Sequence, residues 1–293
     1  MEDVDFRANE GPNEPEETAI EAVGNRLSSH LKGEKKRRYG RFTVAALGSI
    51  PWLGGFLSAS AAMHAEKDQS RVNEFQRQWV EELQGKIVKL GDTLIQIIER
   101  LDGFGDEIRD RLESPDYLAL VGKGFRLWDQ ADTDEKRDLV RKLLSNACAT
   151  ELCPDDLVRL FLDWIDTYHE AHFRVIREVY QQPGITRGQI WDKIGKTRPR
   201  EDSAEADVYK LLIRDLSTGG VIRQYRQTDG RGNFLKKTSQ MSRASSAQTM
   251  KSAFDDHEPY ELTELGRQFV HYTMNEVVPR IGASDAPSDH STG

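Results

Sequence analysis

The stretch FRVIREVYQQPGITRGQIWDKIGKTRPREDSAEADVYKLLIRDLSTGGVIRQY, residues 173–225, decides the fold of the C-terminal third of this chain. Its apolar spacing and its glycine and proline stops predict three helices, over 173–184, 186–195 and 203–220. Ser203 is the predicted N-cap of the third helix, and Gly219 and Gly220 end it. Alternating residues at 221–225 predict a strand, 229–232 a turn, and 260–269 a short strand that enters a last helix.

This order of elements, over roughly 172–275, resembles a winged helix. The segments VIRQ (221–224) and YELTELG (260–266) resemble the wing and exit helix of MarR-type regulators. The resemblance implies a small β-hairpin among helices and a module that binds DNA or a partner protein. The whole chain is therefore predicted to be mainly α, a helical bundle followed by this winged helix.

Charge is sorted unevenly along the 293 residues, whose net charge is −8. From Pro183 to Lys251 there are 14 Lys and Arg against 7 Asp and Glu, a local excess of +7, which leaves −15 for the rest. A basic module on an acidic protein is the expected footprint of contact with a phosphate backbone. A protein whose basic loops dock onto its own acidic helices would show the same uneven distribution of charge.

Composition also divides the chain into segments. With 37% hydrophobic and 31% charged residues, we expect a helix-rich protein with a modest core. The predicted segments are an acidic, largely disordered tail (1–31, with a helix beginning near Pro15), a basic run with a Gly/Ala/Ser-rich apolar segment (32–65), a helical domain (66–171), the winged helix (172–281, with a flexible wing over 227–258) and a disordered tail (282–293). In the helical domain, apolar residues at steps of three and four from Val72 to Leu101 predict one long amphipathic helix facing a bundle core, with a coiled coil as the second interpretation.

The apolar segment 42–65 contains no formally charged residue and follows six Lys and Arg in residues 32–41. Its length suffices to cross a bilayer, but Pro51 and the pair Gly54 and Gly55 interrupt a helix at its centre. Three interpretations stay open: a membrane span, a segment that inserts into membrane or oligomerises when triggered, and a helical hairpin buried in a bundle. The residues on which membrane or oligomer contact would depend are Ile50, Pro51, Trp52, Gly54, Gly55 and Phe56.

The predicted nucleic-acid contacts surround the third helix of the winged helix rather than lying on it. They are Arg187, Lys193, Lys196, Arg198, Arg200, Arg223, Arg226, Arg231, Lys236 and Lys237. The N-terminal part of the third helix, which enters the major groove in a winged helix, instead carries Glu201, Asp202, Glu205 and Asp207. Gln189, Arg187, Tyr209 and Lys210 are the candidates for reading bases. We therefore predict sequence-tolerant contact with the backbone.

Signatures of catalysis are missing from the sequence. His169 and His172 lack the spacing of a zincin motif, the segment 121–125 lacks that of a phosphate-binding loop, and Cys148 and Cys153 are too few for a disulfide framework or a zinc site. We predict a protein that is not an enzyme, with no catalytic residue, metal or cofactor.

A second resemblance spans about 200 residues. The order of an apolar Gly-rich segment, a long helix, EKRDLVRKLLSNA (135–147) and an end containing LTELG (262–266) is similar to the abortive-infection alpha-type families of bacterial phage defence. It implies a protein whose action stops an infected cell. From the basic excess of 183–251 and the uncharged stretch 42–65 behind a basic run, we expect a cytoplasmic protein, in contact with the inner membrane under one interpretation of 42–65, whose winged helix senses nucleic acid or a partner and whose helical part is the effector. We also expect a homo-oligomer. The alternatives are a MarR-like transcription regulator and a scaffold for protein interactions.

Overall fold

The structure, a computed structural model, describes residues 19–55, 74–150, 152–195, 197–227, 229–231, 233, 235 and 252–275. The predictions of disorder before residue 19 and after residue 281, and those for Phe56, Lys196, Lys236 and Lys237, lie outside these residues.

Helices dominate the described part, and the small sheet lies in its C-terminal third. The N-terminal helices are α1 (Ala19–His30), α2 (Glu34–Gly48), α3 (Glu74–Asp102), α4 (Arg109–Glu113), α5 (Pro115–Gln130), α6 (Asp134–Ala149) and α7 (Asp155–Thr167), with a 3₁₀ turn at Gly105–Ile108 and a helical turn over 51–55. The remaining elements are α8 (Glu170–Gln181), β1 (Ile185–Thr186), α9 (Arg187–Ile194), α10 (Ala204–Thr218), β2 (Ile222–Gln224), β3 (Pro259–Leu262) and α11 (Glu264–Thr273). The predicted fold class, mainly α, is confirmed.

The long amphipathic helix is present as α3. Its predicted apolar stripe is buried from Leu83 to Leu101. From Leu90 onward the stripe faces a core shared with α2, α5 and α6, whereas Leu83 and Ile87 form a smaller cluster with partly buried side chains of α1 and of residues 51–55. Helix α1 packs along α3, and Gly91 near the middle of α3 lies so close to Val23 that an added Cβ would be 2.4 Å from its Cγ1.

Side-chain caps set helix boundaries, including the boundary predicted at Ser203. Ser203 Oγ accepts from the Ala206 N–H (3.2 Å), and Thr133 Oγ1 accepts from the Lys136 N–H (3.3 Å). After α10, Gly220 has φ of 75°, a left-handed conformation that favours glycine. The chain can therefore turn within three residues from α10 into β2.

The sheet has three antiparallel strands in the order β1-β3-β2. β3 lies in the middle, with Tyr260 opposite Ile185 on one side and opposite Gln224 on the other. The sequence predicted only the hairpin of β2 and β3. Strand β1 is two residues long, so it leaves no alternation to recognise, and its pairing with β3 is made entirely by tertiary contact.

The last helix joins the C-terminal elements to the N-terminal helices. Phe269 on α11 packs in edge-to-face geometry against Phe161 and Trp164 of α7, with ring centroids 5.6 and 5.4 Å apart. Its ring also stacks on Phe173 of α8 at 6.4 Å. Because one helix lies in both sets of contacts, the sheet is held in a fixed position against the bundle.

Candidate nucleic-acid interface

Four arginines, from three elements and the loop after β2, line one groove at the edge of the sheet, with a volume of about 510 Å³. We call it the arginine groove and define it by Arg187, Arg214, Arg223 and Arg226. Its other lining residues are Ser217, Thr218, Ile222, Gln224 and Tyr260. None of the described residues that line it is acidic, although Glu261 and Glu258 accept from Arg223 and Gln224 of the lining.

The fold brings these arginines together from distant positions in the chain. Arg187 is the first residue of α9, directly after β1, and Arg214 lies in the last turns of α10. Arg223 belongs to the edge strand β2, and Arg226 follows two residues after that strand ends. The sequence predicted three of the four. It missed Arg214, whose exposed position on α10 faces the sheet edge only once the turn at Gly220 has folded β2 back.

Arg187 is the most firmly held of the four. Its Nε donates to the hydroxyl of Tyr260 (2.8 Å), and its guanidinium lies 5.3 Å from the centroid of that ring. Its main-chain carbonyl accepts from the hydroxyl of Tyr209 (2.6 Å). Within the described part of the chain, Nη1 and Nη2 have no hydrogen-bond or ion-pair partner. Arg187 therefore presents a pre-positioned pair of donors, the geometry that suits a phosphate.

The other three groove arginines differ in how far their charge is balanced. Arg223 Nε donates to Glu261, its register partner on β3 (2.8 Å). Arg214 lies 3.8 Å from the neighbouring Asp215, too far for a hydrogen bond. Arg226 is exposed and has no acidic partner among the residues that the structure describes. The groove therefore carries more positive than negative charge.

Three further predicted cations, Lys193, Arg198 and Arg200, are bound by carboxylates of the same module. Arg198 pairs with both Asp192 and Asp256 at 2.9 Å and holds the pKa of Asp256 below its usual range. Arg200 pairs with Asp202 at 2.8 Å and lowers the pKa of that carboxyl in the same way. Lys193 pairs with Glu178 of α8 at 2.9 Å. These pairs concentrate the uncompensated positive charge on the groove and on Arg231.

Arg231 is displayed by an ordered turn beyond β2. The carboxylate of Asp229 accepts from the main-chain N–H groups of Arg231 (2.9 Å) and Asn233 (2.8 Å). The Leu235 N–H donates to the Gln227 carbonyl at 2.8 Å, which closes the turn. The predicted turn at 229–232 is thus stabilised by an aspartate side chain, and its one described arginine is exposed.

The outward face of α10 carries acidic and apolar side chains, in contrast to the basic groove. Val208 and Leu211 are exposed by 54% and 41%, and Glu205 and Asp207 lie beside them. Three of the four side chains predicted to read bases make contacts within the protein instead. Tyr209 is buried, Gln189 Oε1 accepts from the Thr186 N–H (3.0 Å), and Lys210 donates to the Glu201 carbonyl (3.0 Å). The prediction that they read bases is therefore wrong for Tyr209, whose ring has no free surface.

The segment predicted to contact membrane or a second copy is described up to residue 55. Ile50 is buried in the bundle core, whereas Pro51, Gly54 and Gly55 are exposed. Trp52 is half-buried, and its Nε1 donates to Asp129 (2.7 Å) while Lys86 Nζ lies 5.5 Å from the ring centroid. Among the helices formed by described residues, none is both long and apolar enough to span a membrane.

The side chains of His172 and Cys148 are both buried within the fold. The imidazole Nδ1 of His172 accepts from the His169 N–H (3.1 Å), which caps α8, and burial lowers the pKa of the ring. Cys148 is buried in α6, where burial raises the pKa of the thiol to about 12. In the part of the chain described here, no group of three His, Cys, Asp or Glu side chains could hold a metal ion.

No protein-family model matches the chain, and no curated protein or solved structure matches it either. The assignment of a role therefore depends on the geometry of the arginine groove and on the two resemblances of the sequence.

Proposed function

We propose that residues 170–275 are a winged helix whose arginine groove holds the sugar-phosphate backbone of a nucleic acid without reading its sequence. The observation that carries the proposal is the convergence of four arginines on one groove with no acidic lining residue among those described. Guanidinium groups match phosphate oxygens in geometry and stay charged at any physiological pH.

The order of elements supports the winged-helix assignment. Helix α8 is followed by β1, then by α9 and α10, then by the pair β2 and β3. The sheet order β1-β3-β2 places the first short strand beside the last, so that β2 and β3 form a hairpin projecting from the edge. The segment between β2 and β3 would be the wing, and Arg226 and Arg231 lie at its beginning.

Sequence-tolerant contact fits the distribution of charge better than operator recognition. Contacts with phosphate position a protein on nucleic acid but carry no sequence information. The helix that would enter the major groove is α10, and its outward face presents Glu205, Asp207 and two exposed apolar side chains. A MarR-like regulator would need base-reading donors there.

In the cell, we propose that this module is the sensor of an abortive-infection-type phage-defence protein and that the N-terminal helices are its effector. The support is the resemblance in element order together with the packing of α11 against α6 and α7. Such packing would transmit a change at the groove to the bundle.

Fluorescence anisotropy with labelled 20-nucleotide probes tests the binding proposal. The full chain should bind probes of scrambled sequence with affinities within about threefold of one another, and binding should weaken steeply between 50 and 200 mM salt. The double variant Arg187→Ala/Arg226→Ala should lose at least about tenfold in affinity, since each phosphate contact contributes to the electrostatic free energy. Arg267→Ala is the matched control, because Arg267 is exposed on α11 and pairs with Glu264.

Two results would contradict the proposal. One is binding by the double variant as tight as that of the unmodified chain. The other is a preference for one sequence of more than about 1000-fold, the selectivity of an operator-binding regulator.

The effector role has a separate test. Induced expression of the full chain in bacteria should arrest growth, and Gly55→Asp should relieve the arrest if residues 51–55 act on membrane or on a second copy. Gly55 is exposed and an added Cβ there meets nothing within 4 Å, so the variant should fold normally. Growth without arrest, together with no flotation on anionic liposomes, would refute the effector proposal and leave the binding proposal intact.

A further inference from the structure

One exposed aromatic side chain lies beside the arginine groove. Tyr225 follows directly after β2, between Gln224 and Arg226, which both line the groove. Tyr225 is 47% exposed, although the aromatic residues that the structure describes are mostly buried. Its main-chain N–H donates to the Pro259 carbonyl (2.8 Å), so the backbone that carries the ring is fixed to β3.

We infer that the arginine groove takes single-stranded nucleic acid, with one base stacked on Tyr225 and the adjacent phosphates held by Arg187 and Arg226. This inference rests on the proposed function and names its substrate class. A positively charged groove flanked by an accessible aromatic ring is how sequence-tolerant proteins hold single strands, because every base has a face that can stack. In a duplex the bases are stacked on one another and their faces are not accessible.

Tyr225 is exposed at the rim of the groove, directly before Arg226 in the chain. A nucleic-acid strand that leaves the groove at Arg226 can therefore contact the ring of Tyr225 with a neighbouring base. Arg187 also lines the groove and is held by Tyr260, and its Nη1 and Nη2 have no partner among the residues that the structure describes. The strand would thus pass over the edge of the sheet rather than along α10.

Helix α10 opposes binding of a duplex. A duplex seated on the third helix would place phosphates of both strands near its N-terminal half. That half carries Glu205 and Asp207, and Glu201 lies just before it with its carboxylate accepting from the Ala253 N–H (3.0 and 3.1 Å). A single strand that crosses only the groove avoids these carboxylates.

The test compares 12-nucleotide single strands, in DNA and in RNA, with a blunt DNA duplex of the same sequence, by fluorescence anisotropy with the full chain at 100 mM salt. Both single strands should bind at least about tenfold more tightly than the duplex. Tyr225→Ala should weaken single-strand binding by at least about fivefold, the effect of losing one stacked base, and leave duplex binding unchanged. Tyr225→Phe should bind like the unmodified chain, because it keeps the ring.

Tyr180→Ala is the matched control, because Tyr180 on α8 is also 47% exposed and does not line the groove. If the duplex binds as tightly as the single strands, or if Tyr225→Ala binds them normally, the inference is overturned. The proposed function survives either result, provided that Arg187→Ala/Arg226→Ala still weakens binding. If no probe binds, or if the arginine variant binds normally, the proposed function itself fails.

Discussion

Asn146 on α6 donates from Nδ2 to the main-chain carbonyl of Tyr272 on α11, over 2.8 Å. Its Oδ1 accepts from Arg100 Nη2 of α3 at 2.7 Å, and its side chain is fully buried. One amide therefore joins the helix that ends the C-terminal module to two helices of the bundle. A polar link of this kind fixes relative position, because a buried polar group is satisfied in only one arrangement.

Replacing this amide should destabilise the whole chain. Asn146→Ala removes both hydrogen bonds from a buried site, and we expect the free energy of unfolding to fall by about 1–3 kcal/mol. Urea denaturation followed by circular dichroism measures the change. Gln181→Ala, at an exposed position on α8, should change it by less than about 0.5 kcal/mol. Equal effects of the two substitutions would show that the link contributes nothing.

Two glycines should respond in opposite directions to alanine. A Cβ at Gly266, at the start of α11, would lie 2.1 Å from the Val221 carbonyl oxygen, which already accepts from the Thr263 N–H (3.0 Å). Gly266→Ala should cost about 1–3 kcal/mol of stability, because backbone must move. A Cβ at Gly85, inside α3, meets nothing within 4 Å, so Gly85→Ala should add about 0.5–1 kcal/mol. Thermal melts compare the two; the same sign for both would contradict this account.

Stability should fall in mild acid because of His172. Burial lowers the pKa of this imidazole below its ordinary value of about 6.5. The unfolded chain then takes up a proton before the folded protein does, so stability is complete above about pH 6.5 and declines as the pH falls toward the lowered value. Asp215, whose carboxylate lies 3.8 Å from Nε2, opposes the shift only in part.

His172→Gln isolates this effect. Glutamine at the third position of α8 can still accept from the His169 N–H, as in an ordinary capping box, but does not titrate. Between pH 7.5 and 5.5 the variant should lose less stability than the unmodified chain in urea titrations. The same pH dependence in both proteins would assign the acid sensitivity to other groups, such as His271, whose pKa burial also lowers.

Removing one carboxylate beside the arginine groove should tighten binding. Glu261→Gln keeps an acceptor for Arg223 Nε and removes one negative charge beside the groove. We expect the affinity for a single-stranded probe to rise about two- to fivefold at 100 mM salt, with a steeper dependence on salt. Glu264→Gln on α11 is the control, because Glu264 pairs with Arg267 and does not line the groove. Unchanged or weaker binding by Glu261→Gln would mean that charge in the groove does not attract the ligand.

The local structure was predictable because short-range interactions decide it. Thr186 and Ser203 cap the helices that follow them, and the glycines at 219 and 220 end α10 as their position indicated. The groove was predictable only in part. Arg187, Arg223 and Arg226 were identified by charge alone, whereas Arg198, from the same basic run, is bound to Asp192 and Asp256.

The sequence by itself determined the helices, their caps, the buried stripe of α3 and the surplus of basic residues after Pro183. Those features depend on residues within a few positions of one another, or on sums over a segment. Only the tertiary structure decided which basic side chains pair with carboxylates and which line the groove. Asp256 lies 58 positions from Arg198, and Tyr260 lies 73 positions from Arg187. Pairings over such distances depend on how the sheet closes, and no local pattern of residues specifies them.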